Sequence, residues 1–152
     1  MGMNWESSVV VGFVIEKDDL EMPFKQTVPE QSHMEDRFDP KTGKKLAKQV
    51  KVVDKEECEE FFFNGENIGD DACDLVSAIE DEVNCRISMH GNYCDGDDLV
   101  YAIEPTDAAS DPLTFKEVAS LESECERIRK IFKERYGIDL GEPCIQTVMT
   151  YA

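Results

Sequence analysis

Residues 83–104 read VNCRISMHGNYCDGDDLVYAIE. Cys85, Ile87 and Met89 alternate with Arg86, Ser88 and His90, the two-residue period of a half-buried strand. Leu99, Tyr101 and Ile103 alternate on the return. Between the two runs, Asn92, Gly96 and the aspartates Asp95, Asp97 and Asp98 supply turn chemistry. The stretch is therefore a β-hairpin with an acidic turn.

The elements on either side fall into order around it. Just before the hairpin, Ala72, Leu75, Val76 and Ile79 recur at helical spacing, which predicts a helix over Gly69–Glu82. Asp70 and Asp71 sit at its start, where the helix dipole favours negative charge. Further back, Ser8–Ile15 (SVVVGFVI) is a continuous apolar run, as in a central strand covered on both faces. After the hairpin, Asp111-Pro112 offers an N-cap and a first helical position, with Thr114-x-x-Glu117 as an alternative capping box. Phe115, Val118, Leu121, Cys125, Ile128, Ile131 and Phe132 form one apolar stripe behind it, and Gly137 ends the helix. Cys144–Tyr151 (CIQTVMTY) is the last strand.

The order strand, helix, strand, strand, helix, strand is that of the split βαβ or ferredoxin-like sandwich. Such an α+β fold has a four-stranded antiparallel sheet with both helices on one face. Residues 1–152 are read as a single domain carrying an insert at residues 20–67. Within it, Met34–Val53 has the turn signal Asp39-Pro40-Lys41-Thr42-Gly43 and a lysine-apolar alternation, so a basic hairpin arm is expected at about 34–53. Phe61-Phe62-Phe63 calls for burial, which would anchor the insert on the domain.

Charge narrows the function classes. Sixteen basic against 34 acidic residues give −18. A chain so charged repels phosphate backbones as a whole, so direct nucleic-acid binding is disfavoured and basic partners or cations are favoured. The charge is uneven: Arg37–Lys55 holds seven basic residues, whereas Glu56–Asp107 holds 16 acidic residues and one basic residue, Arg86. No apolar run approaches the ~20 residues of a membrane span. Six cysteines show no CxxC pair, and Cys85 and Cys125 fall on apolar faces, as expected of buried thiols in the reducing cytosol.

Two constellations could carry chemistry. In the expected topology the end of the first strand lies near the hairpin turn. Asp18 and Asp19 would then approach Asp95, Asp97 and Asp98, a carboxylate group able to take Mg²⁺ or Mn²⁺. The turn resembles the acidic hairpin of polymerase palm and nucleotidyl cyclase domains, a resemblance that implies two-metal phosphoryl transfer. No phosphate-cradling glycine loop accompanies it, and a solvated turn is the competing account. His90 and Cys94, with Cys85 near, lack the second ligand pair that zinc needs, so Cys85 reads as packing and His90 as a surface residue. No catalytic nucleophile is assigned, and no cofactor beyond the alternative metal.

The preferred reading is a non-enzymatic interaction protein of the cytoplasm. In size and charge the chain resembles bacteriophage accessory proteins, including inhibitors of host machinery that imitate the charge of DNA. That resemblance implies a basic surface on another protein as partner. Glu56, Glu57, Glu59, Glu60, Asp70, Asp71, Asp81, Glu82, Asp95, Asp97 and Asp98 would make the contact. A third reading is a structural or regulatory module that pairs its open sheet with a second copy, as a homodimer.

Overall fold

A first strand, β1 (Trp5–Glu16), changes partner part-way along its length. A computed structural model of the chain describes residues 4–94, 96–109 and 114–151, and of Asp97 and Ala109 only the backbone. The architecture is α+β: nine strands, β1 to β9, and three α-helices among the described residues. The chain divides into two compact units, Met1–Phe24 with Asp71–Ala152, and Lys25–Asp70.

In the first unit, β1 is followed by a short helix α1 (Lys17–Glu21), and later by α2 (Ala72–Val83), β7 (Cys85–Asn92), β8 (Val100–Pro105), α3 (Phe115–Ile131) and β9 (Cys144–Tyr151). Trp5–Gly12 of β1 pairs antiparallel with β9, and Phe13–Glu16 pairs antiparallel with β8. The hairpin β7–β8 pairs antiparallel from Cys85↔Pro105 to His90↔Val100. Beyond His90 strand β7 leaves β8 and pairs parallel with β9 at Gly91↔Thr150 and Asn92↔Tyr151. That short contact closes the four strands into a barrel, where an open sheet was expected.

Both partner changes fall on a glycine. Gly12 has φ +153° and Gly91 has φ +119°, conformations that side-chain-bearing residues rarely adopt. A Cβ on Gly12 would stand 2.2 Å from the Ile103 carbonyl oxygen, and one on Gly91 would stand 2.3 Å from that of Asp98. Glycine inside a strand marks such close backbone approach at a barrel corner. The continuous apolar run SVVVGFVI is thus one strand with a bend at its single glycine.

Register sorts the side chains into two faces. Phe13, Ile103 and Ile87 align across β1, β8 and β7, as do Ile15, Tyr101 and Met89. Val14, Ala102 and Ser88 align on the other face, where Ala102 packs with Val10 and Val148. Helix α2 buries Leu75, Ile79 and Val83, and α3 buries Leu121, Cys125 and Ile128, with Phe132 following. Fully burying an aliphatic or aromatic side chain of this kind stabilises by ~1.5–3 kcal/mol. Arg127 of α3 donates to the carbonyls of Val83 (2.6 Å) and Asn84 (3.0 Å) and so satisfies the C-terminal end of α2.

Helix starts follow from caps. The Asp71 carboxylate accepts from the Cys73 N–H at 2.9 Å and opens α2. Thr114 and Glu117 form a reciprocal capping box at 3.1 Å each way and open α3. The Asp111-Pro112 start lies outside the described residues. One residue of the expected stripe is corrected: Phe115 stands at the first helical position and is 96% exposed. A π-helical turn, Phe132–Tyr136, continues α3 and ends at Gly137 (φ +68°).

The second unit holds two sheets. Strands β2 (Lys25–Val28), β5 (Cys58–Phe63) and β6 (Glu66–Gly69) form one. Strands β3 (Gln31–Glu35) and β4 (Val50–Lys55) form a two-stranded antiparallel ribbon. Phe61 is buried beneath the Lys25 ammonium, 5.7 Å from the ring centroid, while Phe62 and Phe63 are half-buried.

Candidate functional site

The barrel end formed by the close of β1 and the β7–β8 turn gathers acidic side chains. Glu16 pairs with Val100 in register, and the Lys17 N–H donates to the Leu99 carbonyl at 3.1 Å. Asp18 and Asp19 follow Lys17 at the start of α1, and the one-turn 3-10 segment Gly96–Asp98 precedes Leu99. Glu16, Asp18, Asp19 and Asp98 are exposed and make no side-chain hydrogen bond or ion pair among the described residues. Asp95 and the Asp97 side chain lie outside the described residues.

The cation nearest in sequence does not compensate them. Lys17 Nζ is 2.8 Å from each Glu21 carboxylate oxygen, and Glu21 is buried. Glu21 also accepts from the Tyr101 hydroxyl at 2.8 Å, and burial followed by this carboxylate holds the phenol well above its ordinary pKa. A buried carboxylate needs such partners, because an isolated one is strongly disfavoured. The consequence at the surface is that the lysine charge is consumed inward while four carboxylates face solvent. Lys17 and Tyr101 also border a cavity of about 280 Å³, closed by Cys73, Val76, Ile87 and Met89.

The same pattern holds across the unit. Residues 1–24 and 71–152 carry 23 acidic and eight basic residues. Five of the eight cations are engaged: Lys17 with Glu21, Arg86 with Glu104, Arg127 with Glu124 and α2 carbonyls, Arg129 with Glu126 and Glu142, and Arg135 with Glu82. Exposed Asp74, Asp81, Asp107, Glu122 and Glu134 have no side-chain partner among the described residues. The field of this unit is therefore negative, and its exposed, unengaged side chains are mostly carboxylates.

The remaining expected contact residues divide by environment. Glu56, Glu57, Glu59 and Asp70 are exposed in the second unit. Glu60 is buried there and accepts from Lys55 and Asn67, with the Cys58 thiol at 3.6 Å. The Lys55 hydrogen bond, then that of Asn67, holds its carboxyl below the usual range. In the first unit Asp81 is exposed, Asp71 is engaged as the α2 cap, and Glu82 accepts from Arg135 (2.8 Å) and the Tyr136 hydroxyl (2.9 Å).

Two polar sites were not foreseen. Glu104 is buried, accepts from the Val11 N–H at 2.9 Å and meets Arg86 at 3.3 Å. His90 is half-buried, not a surface residue: its ring bonds the Ser88 hydroxyl (2.8 Å) and the Thr150 hydroxyl (2.9 Å), and burial holds its pKa below 6.5. It thereby ties β7 to β9 at the closing seam. The same-face alternation of Arg86, Ser88, His90 with Glu104 was the available signal.

Among the described residues, no three His, Cys, Asp or Glu side chains come together to hold a metal ion. No disulfide joins the six cysteines among the described residues. No described helix is long and apolar enough to cross a membrane. Compared with known proteins, the chain matches no family model, no curated protein and no solved structure.

Proposed function

We propose that this chain is a non-enzymatic interaction protein whose acidic unit docks on a basic surface of another protein, as a phage-type accessory or inhibitor protein would. We read its core as a ferredoxin-like βαββαβ arrangement whose outer strands meet at the β7–β9 contact, with the insert between the first strand and the first long helix. The observation that carries the proposal is the barrel end, where Glu16, Asp18, Asp19 and Asp98 face solvent unpartnered and the adjacent Lys17 is spent on buried Glu21. Surface carboxylates without partners keep their full charge available to an incoming cationic surface, and such fields steer association in a salt-dependent way. Carboxylates already bonded inside the fold, such as Glu60 and Glu82, support the structure instead.

The test is affinity capture of the full chain from cytoplasmic extract at ~50 mM and ~500 mM salt, the second bringing the Debye length below ~5 Å. A basic protein retained at low salt and lost at high salt is the expected result. Retention unaffected by salt would overturn the electrostatic reading. A thermal-shift titration with Mg²⁺ and Mn²⁺ runs beside it. Stabilisation by either ion that Asp98→Asn abolishes would replace this proposal with metal-dependent phosphoryl transfer.

A further inference from the structure

The second unit differs in charge from the first: residues 25–70 hold eight basic and eleven acidic residues. The basic residues concentrate between β3 and β4, where residues 37–48 contain Arg37, Lys41, Lys44, Lys45 and Lys48 against the single Asp39. We infer that this ribbon tip is a second binding surface, one that takes the phosphodiester backbone of a nucleic acid.

Three observations carry the inference. First, the tip is ordered by its own hydrogen bonds. Asp39 donates to the Lys44 carbonyl and Gly43 donates to the Asp39 carbonyl, both at 2.8 Å, and the Asp39 side chain accepts from the Lys41 N–H at 2.8 Å. Phe38 and Lys45 then form an antiparallel bridge, and Leu46 donates to the Arg37 carbonyl at 2.7 Å. A preorganised turn presents its lysines at little entropic cost on binding.

Second, the cations separate into two sets. On or beside the strands, Lys51 pairs with Glu30 and Lys55 with Glu60, which is what edge protection against aggregation requires. In the tip, Arg37, Lys41, Lys44 and Lys48 are exposed and have no side-chain partner, and Lys45 meets only Asp36 at 3.3 Å. Edge blunting accounts for the first set and not for the second.

Third, the composition discriminates between anionic partners. Four of the five tip cations are lysines. Lysine is depleted at protein–protein interfaces, whereas phosphate neutralisation with counterion release uses it freely. Phe38, 59% exposed among these lysines, offers a stacking surface to an unpaired base. The expectation from total charge does not reach this tip, because at physiological ionic strength each surface acts within a Debye length of ~8 Å.

The experiment is fluorescence anisotropy of a labelled 20-nucleotide single strand titrated with the full chain at 150 and 500 mM salt. Four to five phosphate contacts give a slope of log K against log[salt] near −3 and a fall of about thirtyfold between the two salts. Lys41→Gln/Lys44→Gln/Lys45→Gln/Lys48→Gln should bring the slope to about −0.7, with an unchanged circular dichroism spectrum and melt. Phe38→Ala should weaken binding about tenfold with the slope retained. The inference is overturned if the wild type shows no binding at 200 μM protein, or if the quadruple variant binds as the wild type does. It is also overturned if polyglutamate displaces the strand as well as an equal charge of unlabelled oligonucleotide, which would make an acidic protein the partner.

Discussion

Gly12→Ala is the most demanding perturbation for the barrel. The added Cβ would lie 2.2 Å from the Ile103 carbonyl oxygen and 3.2 Å from the Glu104 Cα, so it meets backbone that no rotamer change can move. Holding alanine at φ +153° costs about 1–3 kcal/mol, and the shift needed to relieve the overlap adds about 1–3 kcal/mol. The sum, a loss of ~2–6 kcal/mol, is a large part of the 5–15 kcal/mol of a typical domain. It corresponds to a fall in Tm of roughly 5–20 °C for a chain of this size. The assay is built in. Trp5 is the only tryptophan, sits on β1 opposite Tyr151 with ring centroids 4.9 Å apart, and reports on the seam between β1 and β9. Gly137→Ala is the control in the same unit, since its φ of +68° is strained but open space surrounds the new Cβ. It should cost about 1 kcal/mol. Equal losses for the two variants, or a Gly12→Ala melt within ~0.5 kcal/mol of wild type, would refute the close-approach account of the bend.

Other outcomes follow from the same geometry. Proton NMR of the two histidine rings should give a pKa above 6.5 for His33, whose ring nitrogens stand 2.7 Å from Asp54 and Glu35, and below 6.5 for half-buried His90. The signs oppose. The His33 contribution to stability is complete below pH ~6.5 and is lost as pH rises through its folded value. That of His90 is present above pH ~6.5 and is lost as pH falls through its folded value. A single shared pKa would contradict both environments. Glu104→Ala should destabilise by about 1–3 kcal/mol in urea melts, because the buried Val11 N–H loses its acceptor, while Glu104→Gln keeps an oxygen there and costs less. Thiol titration at pH 8 should find exposed Cys73, Cys94 and Cys144 reacting first. Cys85 and Cys125, whose pKa values burial pushes up to about 12 and about 11, should react only on unfolding.

Much of the first unit was legible because its elements obey simple periods. The alternation in Val83–Glu104 places β7 and β8, and helical spacing places α2 and α3. Local chemistry decided less where two caps competed: Thr114 opens α3, which leaves Phe115 outside the buried stripe. What was not legible is long-range. Nothing local in SVVVGFVI says that the Ile103 backbone will press on Gly12, so the closed barrel was out of reach. Burial of Glu21 and Glu104 runs against the side-chain type, and only their partners Tyr101, Lys17, Arg86 and Val11 explain it. One local signal was overlooked. Asn64-Gly65, with φ +51° and +81°, is the strongest short hairpin motif and joins β5 to β6. For the candidate site, the pairing of the end of β1 with the start of β8 follows from strand order, whereas the inward use of Lys17 does not.

A pair of variants matched in charge tests the acidic barrel end most directly. Glu16→Gln/Asp18→Asn/Asp19→Asn/Asp98→Asn removes four negative charges at that end. Asp81→Asn/Asp107→Asn/Glu122→Gln/Glu134→Gln removes four other exposed, unpartnered ones from the same unit. With salt-sensitive capture of the proposed basic partner as readout, the first variant should lose at least tenfold and the second less than threefold. Equal losses would mean that net charge alone sets the interaction, and the barrel end would cease to be a site.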